Sequence, residues 1–510
     1  MGRGSRSGWV GLALGLVVAL AGAIALDDSS SSGATNVGAL QQGEFKLLTI
    51  GQPARGQPIP SGFLGLSLEY TAIEPYAGTD PRAVDPVLVQ LIRNLTPGQA
   101  PVIRIGGDST DSTWWPVSGM RRPGGVRYAL TPRWLAVTRS ITQALGARLI
   151  MGINLEANSQ PVAAAEAQAF TTGIGRSSID ALEPGNEPEL YGSWAWYRTP
   201  GGRRVTGRPS GYDFRAYTRD FSRMAQALTG NQLAGPTTGA VKWMAHVNEL
   251  LAAQPHLGLV TLHRYPVQKC YIQRASPQYP TIPHLLAAGA SRGLAASVAG
   301  QVALAHARGI PLRIDEMNTN SCGTSHGVTD TFASALWALD ALFAMANVGV
   351  DGVNIHTYPK APYELFSFNR SHGQWQGRVQ PEYYGLLTFA LAAPPGSKPL
   401  RVSGNATDVV RAWATRGPDQ HTRVVLINDS PDRMQAIAIR ATTSAPATLF
   451  RLQAPALASN HRITLGGQSF GSRTDTGLLA GTPLTRSINP TNGDYLIHVP
   501  AASAAVLTLP

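Results

Sequence analysis

The chain has 510 residues, 43% of them hydrophobic and 14% charged, with 54 glycines, 37 prolines and two cysteines. That length exceeds one small module, the apolar content argues against disorder, and two cysteines exclude a disulfide-built scaffold or a zinc ribbon. The formal net charge of +11 excludes an acidic-tail protein but does not establish a polyanionic partner.

Residues 1–7 carry Arg3 and Arg6, and an 18-residue apolar run follows from Trp9 to Leu26, ending in small residues around Ala21, Ala23 and Ala25. A basic start, an apolar stretch and small residues at its end describe a secretory signal over 1–26, with an uncleaved anchor as the alternative. Cleavage would remove Arg3 and Arg6 and leave a formal charge of about +9. Residues 27–43 read as a Ser-rich linker. Nothing downstream is apolar enough to span a bilayer. The expectation is therefore a secreted or cell-surface protein with no membrane span after signal cleavage.

Residues 44–60, with FKLLTIGQP, look strand-like. From 61 to 394, short runs rich in Val, Ile and Leu alternate with segments of helical period. The strand candidates are GFLGLSLEY (62–70), PVIRIGGDS (101–109), ARLIMGINLEAN (147–158), SIDALEPGNEPE (178–189), NQLAGPTTGA (231–240), LGLVTLHRYP (257–266), IPLRIDEMNTN (310–320) and VDGVNIHTYP (350–359). Amphipathic runs such as RAVDPVLVQLIRNL, TPRWLAVTRSITQALG and FRAYTRDFSRMAQAL separate them, and PEYYGLLTFALA closes the series. Eight strand–helix units predict a (β/α)8 TIM barrel, with a doubly wound open sheet as the runner-up. From about Pro394 helical periodicity stops, and TRVVLINDS, MQAIAIRA, ATLFRLQA and DYLIHVPAASAAVLTLP alternate instead. Residues 395–510, together with 44–60, are therefore expected to form a C-terminal antiparallel β-sandwich.

Catalytic groups of a TIM barrel lie at the C-terminal ends of its strands. The fourth candidate ends in Glu183-Pro-Gly-Asn186-Glu187-Pro188-Glu189 and the seventh in Asp315-Glu316-Met317-Asn318. A carboxylate in an apolar strand is costly unless it is paired or used. Both strands end in Glu and lie on opposite sides of the mouth, so their carboxylates can face each other as a glycosidase needs: one acid to protonate the leaving oxygen, one carboxylate to attack or to activate water. A separation of roughly 5–5.5 Å would mean retention and roughly 6.5–9.5 Å inversion, which position in the chain leaves open. Cys270 and Cys322 lie just past strands six and seven. If joined, they close a loop worth about 4 kcal/mol in the chain-entropy model; two free thiols are the alternative.

The strings RIGGDSTDSTWW (104–115), GNEPELY (185–191), LHRYP (262–266) and RIDEMNTNSC (313–322) resemble the heparanase-like glycoside hydrolases of family 79, clan A, and in particular their bacterial β-glucuronidase branch. The resemblance runs from about residue 44 to the end. It implies that Glu187 is the general acid/base and Glu316 the nucleophile. It also implies that Asn186 holds the sugar 2-hydroxyl, Tyr265 donates to Glu316, Arg104 supplies positive charge beside the nucleophile, and Glu69 accepts from sugar hydroxyls. Family members recognise a uronic carboxylate through a Tyr and backbone N–H groups after strand eight. Here that loop reads HTYPKAPYELFSF, and Tyr363 is the candidate, with Tyr358 second. Pro362 stands where a glycine is expected and has no N–H to give, though Lys360 offers charge nearby.

Bland readings stand beside these. Arg104 could pair with Asp108, Tyr265 could simply pack, and Glu69 could be a loop surface residue. His263 and His356 read as packed strand histidines, and Trp114 and Trp115 as a sugar platform or as core filling. The implied function is a secreted retaining β-glucuronidase acting on a glucuronic-acid-containing glycan or glycoside. The alternatives are a clan-A β-glycosidase for a neutral sugar and a non-catalytic glycan-binding surface protein. The double-displacement chemistry needs no metal, and neither HExxH nor a His cluster suggests one. No glycine-rich phosphate loop opens a helix, so no cofactor is expected. Scattered basic residues give no reason to expect nucleic acid.

Overall fold

The computed structural model describes residues 45–54 and 56–510; the expected signal (1–26) and linker (27–43) lie outside the described residues. Among the described residues, no helix is long and apolar enough to cross a membrane.

An N-terminal strand, β1 (Lys46–Pro53), precedes eight parallel strands that close into a barrel in chain order: β2 (Leu64–Glu69), β3 (Val102–Gly106), β4 (Arg148–Ile153), β5 (Ile179–Pro184), β6 (Leu233–Thr238), β7 (Leu257–Arg264), β8 (Leu312–Met317) and β9 (Gly352–Thr357). The ring closes where β9 pairs with β2, from Val353 opposite Leu64 to Thr357 opposite Leu68. Each barrel strand falls inside one of the eight expected segments. These strands read as apolar runs because helices cover one face and the packed interior the other; β2, β3, β6, β8 and β9 are buried throughout.

Helix ends are legible locally. α1 (Pro86–Leu95) begins where the Asp85 side chain accepts from the Val87 N–H at 2.8 Å, with proline at the first turn. α2 (Pro132–Leu145) is capped by Thr131 and stops at Gly146, which is left-handed. α3 (Gln160–Phe170) and α4 (Phe214–Ala225) start at Ser159 and Asp213 in the same way.

α5 (Phe332–Asn347) differs. From Phe332 to Ala346 every residue is buried, so it has no polar face. The second domain accounts for this. After β9 come a hairpin, β10 (Phe366–Ser371) and β11 (Gln374–Val379), and α6 (Pro381–Ala392), which packs on α5. Then follow β12 (Lys398–Ser403), β13 (Arg411–Arg416), β14 (Thr422–Asn428), β15 (Gln435–Arg440), β16 (Ala447–Gln453), β17 (Asp494–Val499) and β18 (Ser503–Leu509). They form one sheet path, β16-β18-β14-β13-β12-β1-β15-β17. Leu48, Val424, Leu426, Ile437, Ile439, Ile497 and Leu507 share one core, so the two halves of the path face each other.

The opposite face, including Val425, Ile427, Leu452 and Val506, joins the barrel core over α5 and α6. Asp340 of α5 anchors that seam: it accepts from Trp413 Nε1 at 2.7 Å and pairs with Arg411 at 3.2 Å. One pairing departs from the antiparallel expectation. β1 runs antiparallel to β12 but parallel to β15, with Lys46 opposite Ile437 and Thr49 opposite Arg440.

Candidate active site

Arg104 lies in the middle of β3, not at its end, and is fully buried inside the barrel. A buried guanidinium needs carboxylates, and it has three. Nε donates to Glu183 Oε2 at 2.7 Å and lies 3.1 Å from Asp315 Oδ2; Nη1 donates to Glu316 Oε2 at 2.6 Å. Nη2 donates to Asn186 Oδ1 at 2.9 Å. Asp108, the alternative partner, is not among them. Burial would raise the Glu183 carboxyl, but the Arg104 charge outweighs it and holds Glu183 below the usual range. Burial and the Glu183 charge push Asp315 well above it. The two neighbouring carboxyls are thus driven in opposite directions, Glu183 toward the charged form and Asp315 toward the neutral one.

The Gly106-Gly107 pair in RIGGDS has a steric cause. A Cβ at Gly106 would stand 2.8 Å from Arg104 Nε, and one at Gly107, whose φ is +73°, would overlap the Glu69 carboxylate.

Above this layer, Glu187 and Glu316 converge. The Glu316 carboxylate is held from both sides, by Arg104 and by the Tyr265 hydroxyl, which donates to Oε1 at 2.7 Å. Burial keeps that hydroxyl protonated, and the Glu316 charge adds to the effect. Burial alone would raise Glu316, but the charges of His356 and Arg104 and the Tyr265 hydrogen bond hold it well below the usual carboxylate range. Glu187 is the opposite case. Burial first, then the negative charge of Glu316, pushes it up to about 8. Its Oε1 lies 3.1 Å from His263 Nδ1, and burial keeps that imidazole neutral. The facing side-chain atoms of Glu187, His263 and Glu316 all lie within 4.8 Å of one another.

The Glu187 backbone is left-handed, at φ +44°. For a non-glycine residue such a conformation costs about 1–3 kcal/mol and persists only where neighbours enforce it. Here the Glu187 N–H donates to Thr237 O at 3.0 Å, and Glu189 Oε1 accepts from the N–H groups of Gly239 and Ala240, both at 2.8 Å. The loops after β5 and β6 thereby lock together.

The remaining expected residues gather at the same mouth. Tyr363 is buried, with ring centroids 6.2 Å from Tyr265, 6.1 Å from His356 and 6.1 Å from Tyr358. Lys360 is exposed. Pro362 offers its carbonyl to Thr329 Oγ1 at 2.6 Å. Glu69 is not a loop surface residue: it is buried, and its oxygens accept from the Asp108 N–H at 3.1 Å and the Ser109 N–H at 2.7 Å. Its carboxylate therefore braces the loop after β3. His356 bridges Glu69 and Glu316, its Nε2 3.4 Å from Glu69 Oε1 and its Nδ1 3.9 Å from Glu316 Oε2. Burial would lower its pKa, but these two carboxylates raise it. The cysteines are joined as a disulfide that ties the loops after β7 and β8.

Three groups of functional consequence escaped the sequence reading. His263 and His356, read as packing residues, touch the two central carboxylates. Asp111 accepts from the Leu155, Glu156 and Asn186 N–H groups and from the Tyr191 hydroxyl at 2.6 Å, joining three loops. Trp114 fills core with Val126 and Val162. It is Trp194 and Trp196 that line a cavity of about 210 Å³ beside Glu187. The signal available was WAW, three residues past GNEPELY, on the same loop.

Among the described residues, Glu187, His263 and Glu316 are the group spaced to hold a metal ion. The fit is poor: Arg104 and Tyr265 already occupy the Glu316 oxygens, and a cation there would face the fixed charge of Arg104 at 2.6 Å from Glu316. The arrangement suits a different task, which is to hold one carboxylic acid and one carboxylate across a small gap in opposite protonation states.

Comparison with known proteins bears on the fold and the family. Residues 412–506 match the glycosyl hydrolase family 79 C-terminal beta domain. A β-glucuronidase of Neurospora crassa is 21% identical over 488 residues, covering 82% of each chain. Among solved structures, a 4-O-α-L-rhamnosyl-β-D-glucuronidase from Fusarium oxysporum 12S superposes with a TM-score of 0.69 at 19% identity, covering 91% of this chain and all of that one. A family 51 α-L-arabinofuranosidase from Thermotoga petrophila RKU-1 superposes at 0.63 with 14% identity, over 91% of this chain and all of that one. At these identities the superpositions establish the barrel-plus-sheet fold, and the resemblance read from the motifs is borne out.

Proposed function

We propose that this chain, a relative of the family 79 glycoside hydrolases, is a β-glucuronidase that works by double displacement with retention. Its relationship makes it a glycoside hydrolase; the site residues give the finer reading. In the first step a Glu316 oxygen attacks the anomeric carbon, the bond to the leaving oxygen breaks, and Glu187 gives that oxygen its proton. In the second, water loses a proton to Glu187 and attacks the same carbon, and the Glu316 carboxylate leaves.

The observation that carries this reading is the approach of the Glu187 and Glu316 oxygens to within 4.8 Å, with the first held protonated and the second ionised. Oxygens this near support the roughly 5–5.5 Å carboxyl separation of retaining enzymes over the roughly 6.5–9.5 Å of an inverting pair, which must admit a water. Once Glu316 is esterified its charge is gone, the cause of the raised Glu187 pKa weakens, and Glu187 becomes the base that the second step requires. Tyr265 and Arg104 orient the nucleophile, and Asn186, held by Arg104, is placed for the 2-hydroxyl.

The preference for a uronic acid is supported by the glucuronide-acting relatives and by the Tyr363 and Tyr358 hydroxyls on the wall beside Glu316. Pro362, with no N–H to donate, favours the second reading, a neutral sugar. Hydrolysis of p-nitrophenyl β-glucuronide but not the β-glucoside is expected; equal rates on both would move the assignment to the neutral sugar. A 2-fluoro-glycosyl or cyclophellitol-type probe should label Glu316, and the lack of any adduct in a turnover-competent enzyme would overturn retention. The basic start and apolar run over residues 1–26 support export, to the outside of the cell or its surface.

A further inference from the structure

The cavity beside Glu187 is bordered by Asp108, Asn186, Glu187, Trp194 and Trp196, but not by Glu316, Tyr265 or Tyr363. In a double displacement the anomeric carbon lies against the nucleophile, and the leaving oxygen lies against the acid. A cavity that borders the acid and not the nucleophile therefore continues on the leaving group's side.

At its rim is an unusual surface feature. Among the described residues, the large apolar side chains left exposed include two aromatics, Trp194 at 41% and Tyr271 at 67%. They belong to different loops, after β5 and after β7, and their rings meet at a centroid distance of 6.0 Å and a 48° tilt. Both positions are braced. The Trp194 N–H donates to Leu190 O at 2.8 Å, one turn past Glu187. Tyr271 directly follows Cys270, whose disulfide to Cys322 and the Lys269 N–H to Cys322 O bond at 3.0 Å tie its loop to the one after β8. Exposed aromatic surface has a solvation cost, and two such rings fixed in contact at the mouth of a site are a ready-made stacking surface.

We propose that Trp194 and Tyr271 form the platform of a leaving-group subsite, selecting glycosides whose aglycone presents a flat apolar face: an aryl ring or the C–H face of a pyranose. Trp196, whose Nε1 donates to Asp111 O at 2.8 Å, forms the inner wall. The Cys270–Cys322 bridge holds Tyr271 in place. This subsite rests on the acid/base assignment of Glu187.

The test compares kcat/KM on three substrates in the intact protein. β-Glucuronyl fluoride has a leaving group too small to reach the platform. 4-Methylumbelliferyl β-glucuronide carries an aryl aglycone, and a β-glucuronyl disaccharide carries a pyranose. In Trp194→Ala and Tyr271→Ala, the ratio of aryl or disaccharide turnover to fluoride turnover should fall about tenfold, the loss of one well-placed stacking contact. Trp194→Phe should recover most of it. A fall confined to the aryl substrate identifies an aryl aglycone, and one confined to the disaccharide a sugar. An unchanged ratio on both, or equal losses on all three substrates, overturns the platform. Fluoride turnover also reports a folded site in each variant. If the wild-type protein turns over no glucuronide and accepts glucosides, the glucuronidase reading fails separately, and the same ratio measured on β-glucosyl fluoride and aryl β-glucoside still tests the platform.

Discussion

Replacing Glu316 by Gln should change the acidity of Glu187. The substitution keeps the shape of the side chain and removes its charge. In the resting site Glu187 titrates at about 8, raised by burial first and by Glu316 second. The nearest oxygens lie within 4.8 Å, and two unit charges at that separation in surroundings of effective dielectric near 20 repel by about 3.5 kcal/mol, or about 2.5 pH units. Spreading of each charge over two oxygens and the Arg104 charge alongside reduce the effect on Glu187. Burial persists in the variant, so Glu187 should settle about one to two pH units lower, still above an ordinary glutamate. Carbon-13 NMR of labelled glutamate carboxyls, titrated from about pH 4 to 10, reads this directly, with Glu187→Gln supplying the assignment. Enzyme trapped as the 2-fluoro-glycosyl ester should show the same fall, because esterification also removes the charge. A Glu187 titration that coincides in wild type and Glu316→Gln would refute the coupling and, with it, the alternation of Glu187 between acid and base.

The same ionisations set the pH profile. Glu187 must be protonated to act as the acid, so kcat/KM should fall as pH rises through about 8; the acid limb should lie below the ordinary carboxylate range, because Glu316 stays ionised there. An alkaline limb near the usual glutamate pKa would contradict the assignment. Tyr265→Phe removes a hydrogen bond of 2.7 Å to a charged oxygen, worth about 1.5–3 kcal/mol. It should lower kcat/KM about 10- to 100-fold with the melting temperature nearly unchanged, and a large melting shift would mark a packing role instead. Arg104→Ala leaves Glu183, Asp315 and Glu316 without their cation and should cost about 3–5 kcal/mol in urea unfolding; a loss under about 1 kcal/mol would show that the cluster does not depend on it. Replacing both Cys270 and Cys322 by serine opens a loop of sequence separation 52 and should cost about 4 kcal/mol of stability on the chain-entropy argument, measured by the same unfolding.

The barrel could be read in the sequence because its rules are local. Each strand is a short apolar run bounded by helical period, and four of the main helices carry their own cap, at Asp85, Thr131, Ser159 and Asp213. Glu187 and Glu316 stood out for a similar reason: charge at the end of an apolar strand needs a use. The β10–β11 hairpin had a signal too, the His372-Gly373 turn with both residues at positive φ, but it lay between the loop read over 356–368 and the closing helix, where no element was expected. The parallel pairing of β1 with β15 had none, since alternation shows which residues face inward but not which neighbour a strand takes.

The succession of strand–helix units, the all-β character of the C-terminal part and the two carboxylates at strand ends were therefore legible in the sequence itself, through periodicity, capping and the cost of burying charge. Tertiary structure alone decided that Arg104 turns from Asp108 to Glu183, Asp315 and Glu316. It alone turned Glu69 onto the loop after β3, set His263 and His356 against the central pair, and brought Trp194 to Tyr271. These are contacts between residues tens to hundreds of positions apart. They depend on barrel closure and register, which no local pattern encodes, and barrel closure is also what brings Glu187 close enough to Glu316 for one charge to set the other's acidity.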